Sequence, residues 1–252
     1  LELKDLFARD DRGLPALRDV NLKVRSGEIV GIVGVDGNGQ TELAEVVSGL
    51  RAPSHGEILL EGKAVEGSDP RHMREAGLAH VPADRLVRGV NPGADIATNI
   101  LMGRQHADPW AKNGVIRWGR VRDYARELMQ RFDIRAKDDY VPVKTLSGGN
   151  MQKVVVAREF SQHMPLLLID QPTRGVDIGA MEGIHDEIIR RRDAGAAILL
   201  ISVQIDEVLA LADRVLVMFN GSISGEVDPV TTTEEEIGHL MAGGSRSKEA
   251  AA

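Results

Sequence analysis

Four short apolar runs constrain the fold of this chain more than any other feature of its sequence. They are EIVGIVG, which ends at Gly34, LLLID, which ends at Asp170, AAILLIS, which ends at Ser202, and RVLVMFNG, which ends at Gly221. Unbroken apolar runs of this length are typical of strands that are buried on both faces of a parallel sheet. Helical patterns such as TELAEVVSGL and MEGIHDEIIRRRDAG lie between the runs. Strands that alternate with helices predict an α/β fold with a parallel sheet.

The segments around this core carry different patterns. LELKDLFARDDRGLPALRDVNLKV alternates and predicts strands joined by a polar turn, and HGEILLEGKAV predicts a hairpin. The middle of the chain is richer in helical pattern, and RVRDYARELMQRF is strongly amphipathic. We therefore predict a core at 1–84 and 165–228, an inserted α-helical subdomain at about 85–164, a C-terminal helix at about 232–242 and a disordered tail at 245–252.

Composition excludes some functions and sets the expected compartment. The formal net charge of −7 argues against a nucleic-acid binder that works through a broad basic face. Cysteine is absent, so a reducing compartment is the default expectation. The apolar runs are far shorter than the roughly 18 residues that a membrane span needs. The basic run Arg190–Arg192 is predicted to lie on a solvated helix face.

A glycine loop (Gly34–Thr41) follows the first apolar run and precedes a helix. Strand, glycine turn and helix N-terminus together form a cradle of backbone N–H groups that suits a phosphate. The phosphate-loop pattern G-x-x-x-x-G-K-S/T is met at Gly34, Gly39 and Thr41, but Gln40 stands at the lysine position. The alternative is an ordinary tight turn that needs glycines.

Two further motifs suit phosphate chemistry. In LSGGNMQKVVVAREF, Ser147 is predicted to cap a helix whose free N–H groups make a second phosphate-facing end. In LLLIDQPTRGVD, Asp170 ends a core strand, as a carboxylate linked to Mg²⁺ does. The alternatives are a plain capped helix and an exposed aspartate at a strand end.

Taken in order, GVDGNGQTEL, LSGGNMQK, LLLIDQPTRGVD and ISVQIDEV resemble the nucleotide-binding domain of an ABC transporter. The sequence is most similar to the second, C-terminal half of the tandem ATPases of simple-sugar and nucleoside importers, and GNGQ and QPTRGVD favour the nucleoside branch. The resemblance implies an ABC ATPase domain at 1–244. It also implies a RecA-like P-loop NTPase core with a mainly parallel sheet, antiparallel β hairpins at the N-terminal side and an inserted α-helical subdomain.

The resemblance implies ATP and Mg²⁺ as cofactors and assigns residues to them. Thr41 and Asp170 would contact Mg²⁺. The positions implied to contact nucleotide are Gly34, Asp36, Gly37, Asn38, Gly39, Gln40 and Thr41 in the glycine loop, and Ser147, Gly148, Gly149 and Asn150 in the SGGN turn (Ser147–Asn150).

Several positions depart from the family pattern. Gln40 replaces the lysine that holds the β- and γ-phosphates, and loss of a charge-assisted hydrogen bond of about 1.5–3 kcal/mol weakens binding roughly 10- to 150-fold. Gln171 stands where the catalytic glutamate is expected, Val203 where the switch histidine is expected, and Ala83 at the Q-loop position. No aromatic residue occupies the adenine-stacking position, and Phe7 is the nearest candidate.

In this family two such domains pair head to tail, and each nucleotide lies between one domain's loop and the other's SGG motif. We therefore expect a degenerate site on the glycine loop and an SGGN turn that completes a competent site on a partner domain, either of the same polypeptide or of another. The resemblance also implies transmembrane permease subunits, an indirect partnership with a substrate-binding protein, and a peripheral location at the cytoplasmic face of the plasma membrane. It implies no nucleic-acid partner.

Two alternative functions remain. One is a pseudo-ATPase scaffold that binds nucleotide without hydrolysis. The other is a soluble ABC ATPase of DNA repair or translation, which the acidic charge disfavours.

Overall fold

The computed structural model describes residues 1–65 and 69–244, so the tail predicted to be disordered at 245–252 lies outside the described residues. The chain divides into two units. The first unit comprises Leu1–Leu78, Pro165–Gln171 and Arg192–Ala252. The second unit comprises Ala79–Met164 and Pro172–Arg191. The predicted boundaries between core and inserted subdomain stay a prediction.

The described residues contain strands and helices that alternate along much of the chain. The strands are β1 (Glu2–Arg9), β2 (Pro15–Lys23), β3 (Ile29–Val33), β4 (His55–Leu60), β5 (Lys63–Ala64), β6 (Leu78–Val81), β7 (Ala111–Lys112), β8 (Val115–Ile116), β9 (Leu166–Asp170), β10 (Ala197–Ile201), β11 (Arg214–Phe219) and β12 (Ser222–Val227). The helices are α1 (Gln40–Val47), α2 (Pro70–Glu75), α3 (Ile96–Leu101), α4 (Trp118–Arg131), α5 (Gly148–Phe160), α6 (Ile178–Asp193), α7 (Ile205–Leu211) and α8 (Glu234–Met241).

The first unit is built around a mainly parallel sheet. Its strand order is β12-β11-β3-β10-β9, in which neighbours are parallel except for the antiparallel pair β11 and β12. Every residue of β3, β9 and β10 is buried, as expected for strands covered on both faces. An antiparallel sheet of order β2-β1-β4-β5 completes the unit. Both predictions, the parallel core and the N-terminal antiparallel strands, are therefore confirmed.

The register of the parallel strands places three loop starts at one sheet edge. Ile201 pairs with Ile32 on one side and with Asp170 on the other. Because the carboxyl ends of parallel strands meet at the same edge, the segments after β3, β9 and β10 begin side by side. Helix α7 packs closely on β3, since a Cβ on Gly31 would lie 2.2 Å from Val208 Cγ1.

Helices dominate the second unit. The predicted amphipathic helix is α4, which buries Val121, Ala125 and Leu128 against its neighbours, so that prediction is confirmed. Helices α3, α4 and α5 pack on one another, and β7 and β8 form a two-stranded antiparallel ribbon. No helix among the described residues combines the length and apolar character that a membrane crossing requires.

One prediction about the surface is wrong in part. Arg190 is exposed, but Arg191 is only 7% exposed and its Nε lies 3.3 Å from Glu187 Oε1. Burial lowers the pKa of Arg191, and the Glu187 carboxylate opposes that effect. The run of like charges therefore does not lie on a single solvated face, because a carboxylate one helical turn earlier supplies an acceptor for the buried member.

Candidate functional site

The glycine loop connects β3 to α1 in the first unit. Gly37 and Gly39 have φ values of 86° and 106°, which favour glycine because a side chain is strained there. A Cβ on Gly39 would also lie 2.9 Å from Ala16 O. Helix α1 begins at Gln40, and no side chain caps its first turn. The first-turn N–H groups of α1 are thus in the arrangement that suits an anionic phosphate.

Gln40 does not extend from the loop but folds back across it. Its side chain is nearly buried, at 9% exposure, and Nε2 donates to Val35 O at 3.1 Å. The same carbonyl accepts from Asn38 Nδ2 at 3.0 Å and from Asn38 N at 3.2 Å. A Cβ on Gly34 would lie 2.3 Å from Gln40 Nε2, so the glycine makes room for the amide. The loop is therefore held by neutral hydrogen bonds in place of a lysine charge.

Asn38 also ties the loop to the turn between β11 and β12. Asn220 N donates to Asn38 Oδ1 at 2.7 Å, and Gly221 N donates to Asn38 O at 3.0 Å. Asn220 and Gly221 have φ values of 48° and 82°, as in a two-residue type I′ hairpin turn. No local pattern in the sequence reveals this link, since its partners lie 182 positions apart.

Asp170 and Gln171 lie at the end of β9 in the same unit. Asp170 is 8% exposed, and Gln171, whose φ is 51°, donates its N–H to Ile201 O at 2.8 Å. The hydroxyl of Thr41 and the carboxylate of Asp170 offer the oxygen ligands that Mg²⁺ prefers, together with waters and substrate phosphates. Across 1–65 and 69–244, no group of three or more His, Cys, Asp or Glu side chains could hold a metal ion.

Val203 follows β10 and is 46% exposed. Its side chain offers no hydrogen-bonding group. The polar residue beside it is committed elsewhere, because Ser202 Oγ donates to Glu207 Oε2 at 2.6 Å and accepts from Gln204 N at 3.1 Å. Neither Val203 nor Gln171 can act as a base toward water, since an aliphatic side chain and an amide do not take up a proton at neutral pH.

The SGGN turn begins α5 in the second unit. Ser147 Oγ accepts from Asn150 N at 3.3 Å and from Asn150 Nδ2 at 2.9 Å, so the predicted serine cap is confirmed. Asn150 Oδ1 accepts from Arg135 N at 2.7 Å. A Cβ on Gly149 would lie 3.0 Å from Asp177 Oδ2, and this close approach favours glycine.

The Q-loop position, Ala83, lies in the second unit, is partly exposed and offers no polar group. Sequence reasoning missed Arg85, two positions later. Arg85 Nη1 donates to Arg174 O at 2.6 Å, and a Cβ on Gly148 would lie 2.8 Å from Arg85 Nη2. The sequence held one signal for this residue: Arg85 is a cation two positions after Ala83, which was already expected to belong to an ATP site.

Comparison with protein families places the chain among known proteins. Residues 17–174 match the family described as ABC transporter. Among curated proteins, a guanosine import ATP-binding protein, NupO of Bacillus subtilis, is 44% identical over 250 residues, which is 99% of this chain and 49% of that protein. A nucleoside import ATP-binding protein, NupA of Lactococcus lactis, is 43% identical and is matched by 97% of this chain over 48% of its own length. The chain thus spans about half the length of these curated relatives.

Sugar importers and solved structures also match. A glucose import ATP-binding protein of Haloferax volcanii is 40% identical over 97% of this chain and 45% of its own length.

Among solved structures, a dimeric ATP-binding cassette in a post-hydrolysis state bound to ADP and Pi has a TM-score of 0.77 and 21% identity. The match covers 90% of this chain and 98% of that one. A nucleotide-free ATP-binding cassette has a TM-score of 0.76 and 22% identity, covering 96% of this chain and 94% of that one. At these identities the structural matches show the fold, which is that of the ATP-binding cassette, as predicted.

Proposed function

Because this chain belongs to the ABC transporter family, we propose that it is an ATP-binding domain of a nucleoside importer. In this proposal its SGGN turn completes the ATP site of a second ATP-binding domain. The chain resembles the C-terminal half of a tandem ATPase, and the second domain belongs to the same polypeptide or to a partner subunit. Transmembrane permease subunits complete the importer, a substrate-binding protein delivers its cargo, and the chain lies at the cytoplasmic face of the plasma membrane.

The observation that carries the proposal is a contrast between the two motifs. In the first unit, Gln40, Gln171 and Val203 replace the groups that bind phosphate charge and handle protons. In the second unit, Ser147 caps α5 and leaves the start of the helix free of bulky side chains at Gly148 and Gly149. The SGGN turn needs only backbone N–H groups for its proposed role, and it keeps the family's residues. The glycine loop and the positions after β9 and β10 need charged or basic side chains, and those side chains are replaced.

The SGGN turn would act on the terminal phosphate of the ATP that the partner binds. Backbone N–H groups at a helix N-terminus stabilise negative charge, and catalysis of phosphoryl transfer depends mainly on positioning and on such stabilisation. Mg²⁺ bound with nucleotide would neutralise phosphate charge. Thr41 and Asp170 are the residues of this chain that would hold Mg²⁺ if nucleotide binds the glycine loop.

The preference for nucleosides over sugars rests on the relatives. NupO is a guanosine import ATP-binding protein and NupA a nucleoside import ATP-binding protein, and they are 44% and 43% identical to this chain, whereas the glucose import protein is 40% identical. The permease and substrate-binding subunits select the cargo in such systems. Uptake of radiolabelled guanosine and ribose by cells that carry the complete importer would decide between the two cargo classes.

The decisive experiment compares one substitution in each motif of the complete transporter. Gly148→Asp places a carboxylate at the positive end of α5, where phosphate would lie, and we expect ATP hydrolysis to fall at least about 100-fold. Gln40→Ala is expected to change the rate less than about 2-fold, since Gln40 carries no charge. Gly119→Asp is the matched control, because a Cβ on Gly119 has no atom within 4 Å. If Gln40→Ala is as damaging as Gly148→Asp, the division of labour is wrong.

A second candidate function is a pseudo-ATPase scaffold that binds nucleotide without hydrolysing it. The uncapped start of α1 favours binding, and the loss of a base at Gln171 disfavours hydrolysis. Isothermal titration of the complete transporter with Mg-ATP, beside a phosphate-release assay, separates the candidates. Binding without phosphate release supports the scaffold, whereas release that Gly148→Asp abolishes supports the donor role.

A further inference from the structure

We propose that Arg85 is a positioning residue for ATP hydrolysis, which holds the start of α5 in the geometry that receives the partner's phosphate. This inference rests on the proposed donor role of the SGGN turn. Arg85 lies at the start of a short helical turn, Arg85–Gly89, which follows the Q-loop position Ala83. Nothing in the sequence patterns assigned a role to this arginine.

The guanidinium of Arg85 lies against two glycine backbones. A Cβ on Gly148 would lie 2.8 Å from Arg85 Nη2, and a Cβ on Gly175 would lie 3.2 Å from the same atom. Arg85 Nη1 donates to Arg174 O at 2.6 Å. A side chain at Gly148 would require the guanidinium to shift, and a side chain at Gly175 would crowd it. The arginine therefore links the first residue of α5 to the segment that precedes α6.

The turn that carries Arg85 is anchored at both of its ends. Asp84 caps its start by accepting from Leu86 N at 2.9 Å and from Val87 N at 3.0 Å. Its last residue, Gly89, offers its carbonyl to Arg158 Nη1 at 2.8 Å, and Arg158 is a buried residue of α5. Because both ends are fixed, the position of Arg85 beside Gly148 depends on more than its hydrogen bond to Arg174 O.

The charge of Arg85 lies beside the positive end of a helix, and within the described residues its one hydrogen-bond acceptor is the neutral carbonyl Arg174 O. The N-terminus of a helix carries a partial positive charge, so a guanidinium beside the start of α5 is unfavourable by itself. Arg85 Nε is buried and has no hydrogen-bond partner within the described ranges, although buried donors are normally paired. The arrival of a phosphate at the SGGN turn would turn this repulsion into attraction.

A positioning role predicts a specific kinetic effect. The partner's own loop binds the ATP ground state, so removal of Arg85 should leave KM for ATP nearly unchanged. It should lower kcat, because the SGGN turn is no longer held in place when charge develops on the phosphate. We expect Arg85→Gln to lower kcat roughly 10- to 100-fold. Arg85→Lys keeps the charge but not the planar fork and should recover part of the loss.

The test measures steady-state ATP hydrolysis by the complete transporter with Arg85→Gln, Arg85→Lys and a control variant. Arg120→Gln is the matched control, since Arg120 is exposed and its side chain makes no hydrogen bond or ion pair within the described residues. A lower kcat with KM within about 2-fold of wild type, partial recovery in Arg85→Lys and an unaffected control support the proposal. The urea midpoint of each variant shows whether the chain still folds.

Two results would overturn the proposal. One is an unchanged kcat in Arg85→Gln. The other is a loss of activity in Arg85→Gln that Arg85→Lys does not relieve and that accompanies a lower urea midpoint, because this pattern indicates a structural role alone. Gly148→Asp is measured in the same series. If it abolishes hydrolysis while Arg85→Gln does not, only the inference about Arg85 fails; if it has no effect, the donor role itself fails.

Discussion

At the scale of single residues, position 40 decides what the glycine loop can bind. The Gln40 amide makes one neutral hydrogen bond to Val35 O and offers no charge to a phosphate. We predict that Gln40→Lys raises the affinity of this loop for Mg-ATP roughly 10- to 150-fold, because a charge-assisted hydrogen bond is regained. Isothermal titration measures the change. Gln40→Met, which fills similar space without charge, should bind no better than wild type, and equal gains in both variants would contradict the prediction.

Individual site residues differ in how far the sequence could predict them. The glycine loop, Ser147 and Asp170 were found because each is defined by its near neighbours in the chain. The contacts of Arg85 and Asn38 were not found, since their partners lie 89 and 182 positions away. Pairs at such separation leave no local spacing pattern. Only the fold brings them together.

At the scale of single elements, the cap of α5 allows a direct test of stability. Ser147 Oγ accepts from the backbone N–H of Asn150 and from its side chain. We predict that Ser147→Ala lowers the free energy of unfolding by about 0.5–2 kcal/mol, which is typical for loss of an N-cap. Urea denaturation measures the loss. Ser147→Thr keeps a hydroxyl and should retain most of the stability, and an equal loss in both variants would speak against the cap.

A buried ion cluster joins α4 to its neighbours in the second unit. Asp139 accepts from Arg122 at 2.7 Å and from Arg126 at 3.1 Å, and Arg122 also donates to Asp95 at 2.9 Å. Burial by itself raises the pKa of Asp139, but the hydrogen bonds from the two arginines outweigh burial and hold that pKa below its ordinary value. A carboxyl with a lowered pKa stabilises the fold above its unfolded-state pKa and loses that contribution as the pH falls through its folded-state pKa.

We therefore predict that Asp139→Asn lowers the free energy of unfolding by about 2–3 kcal/mol at pH 7. The difference from wild type should begin to shrink below about pH 4, where the unfolded carboxyl takes up a proton, and should shrink further as the pH falls through the lower folded-state pKa. Urea denaturation at pH 7 and at pH 3 provides the comparison. Asp123→Asn is the control, because Asp123 is 75% exposed and its ion pair with Arg126 should contribute less than about 1 kcal/mol. A gap that is independent of pH would exclude the ionic explanation.

Two hairpin turns offer a matched pair of glycines, Gly221 between β11 and β12 and Gly62 between β4 and β5. Gly221 and Gly62 have φ values of 82° and 77°, but a Cβ on Gly221 would lie 2.4 Å from Ala16 O, whereas a Cβ on Gly62 meets no atom within 4 Å. Both alanine variants suffer backbone strain of about 1 kcal/mol or more. We predict that Gly221→Ala destabilises the chain by at least about 1 kcal/mol more than Gly62→Ala. Thermal unfolding of both variants measures the difference, and equal losses would show that the contact with β2 is dispensable.

At the scale of the whole molecule, the proposed division of labour predicts that this chain does little alone. A positioned base contributes about 10²- to 10⁴-fold to a reaction, and Gln171 and Val203 supply none. We predict that the isolated chain hydrolyses Mg-ATP at least about 100-fold more slowly than the complete transporter. A phosphate-release assay at equal protein concentration measures the ratio. Comparable rates for the isolated chain and the transporter would refute the division of labour.

The general architecture could be predicted from the sequence because its main signals are local. Four apolar runs predicted the parallel sheet, and alternation before residue 24 predicted the antiparallel strands that the structure contains. The environment of Arg191 could not be predicted, since a run of three arginines suggests solvent while Glu187 holds the middle one in a buried position. Burial of charge depends on which acceptor the fold supplies.

The hydrogen bonds of Asn38 make the β11–β12 hairpin part of the wall of the glycine loop. A loop transplanted from another protein would leave the Asn220 amide without an acceptor unless its residue at position 38 also carries a side-chain oxygen. A substitution at position 38 that removes the side-chain oxygen therefore also removes a hydrogen bond from the hairpin. A lysine at position 40 would leave the hydrogen bonds between Asn38 and the hairpin in place, so this single change is a better route to a loop that binds nucleotide than exchange of the entire segment.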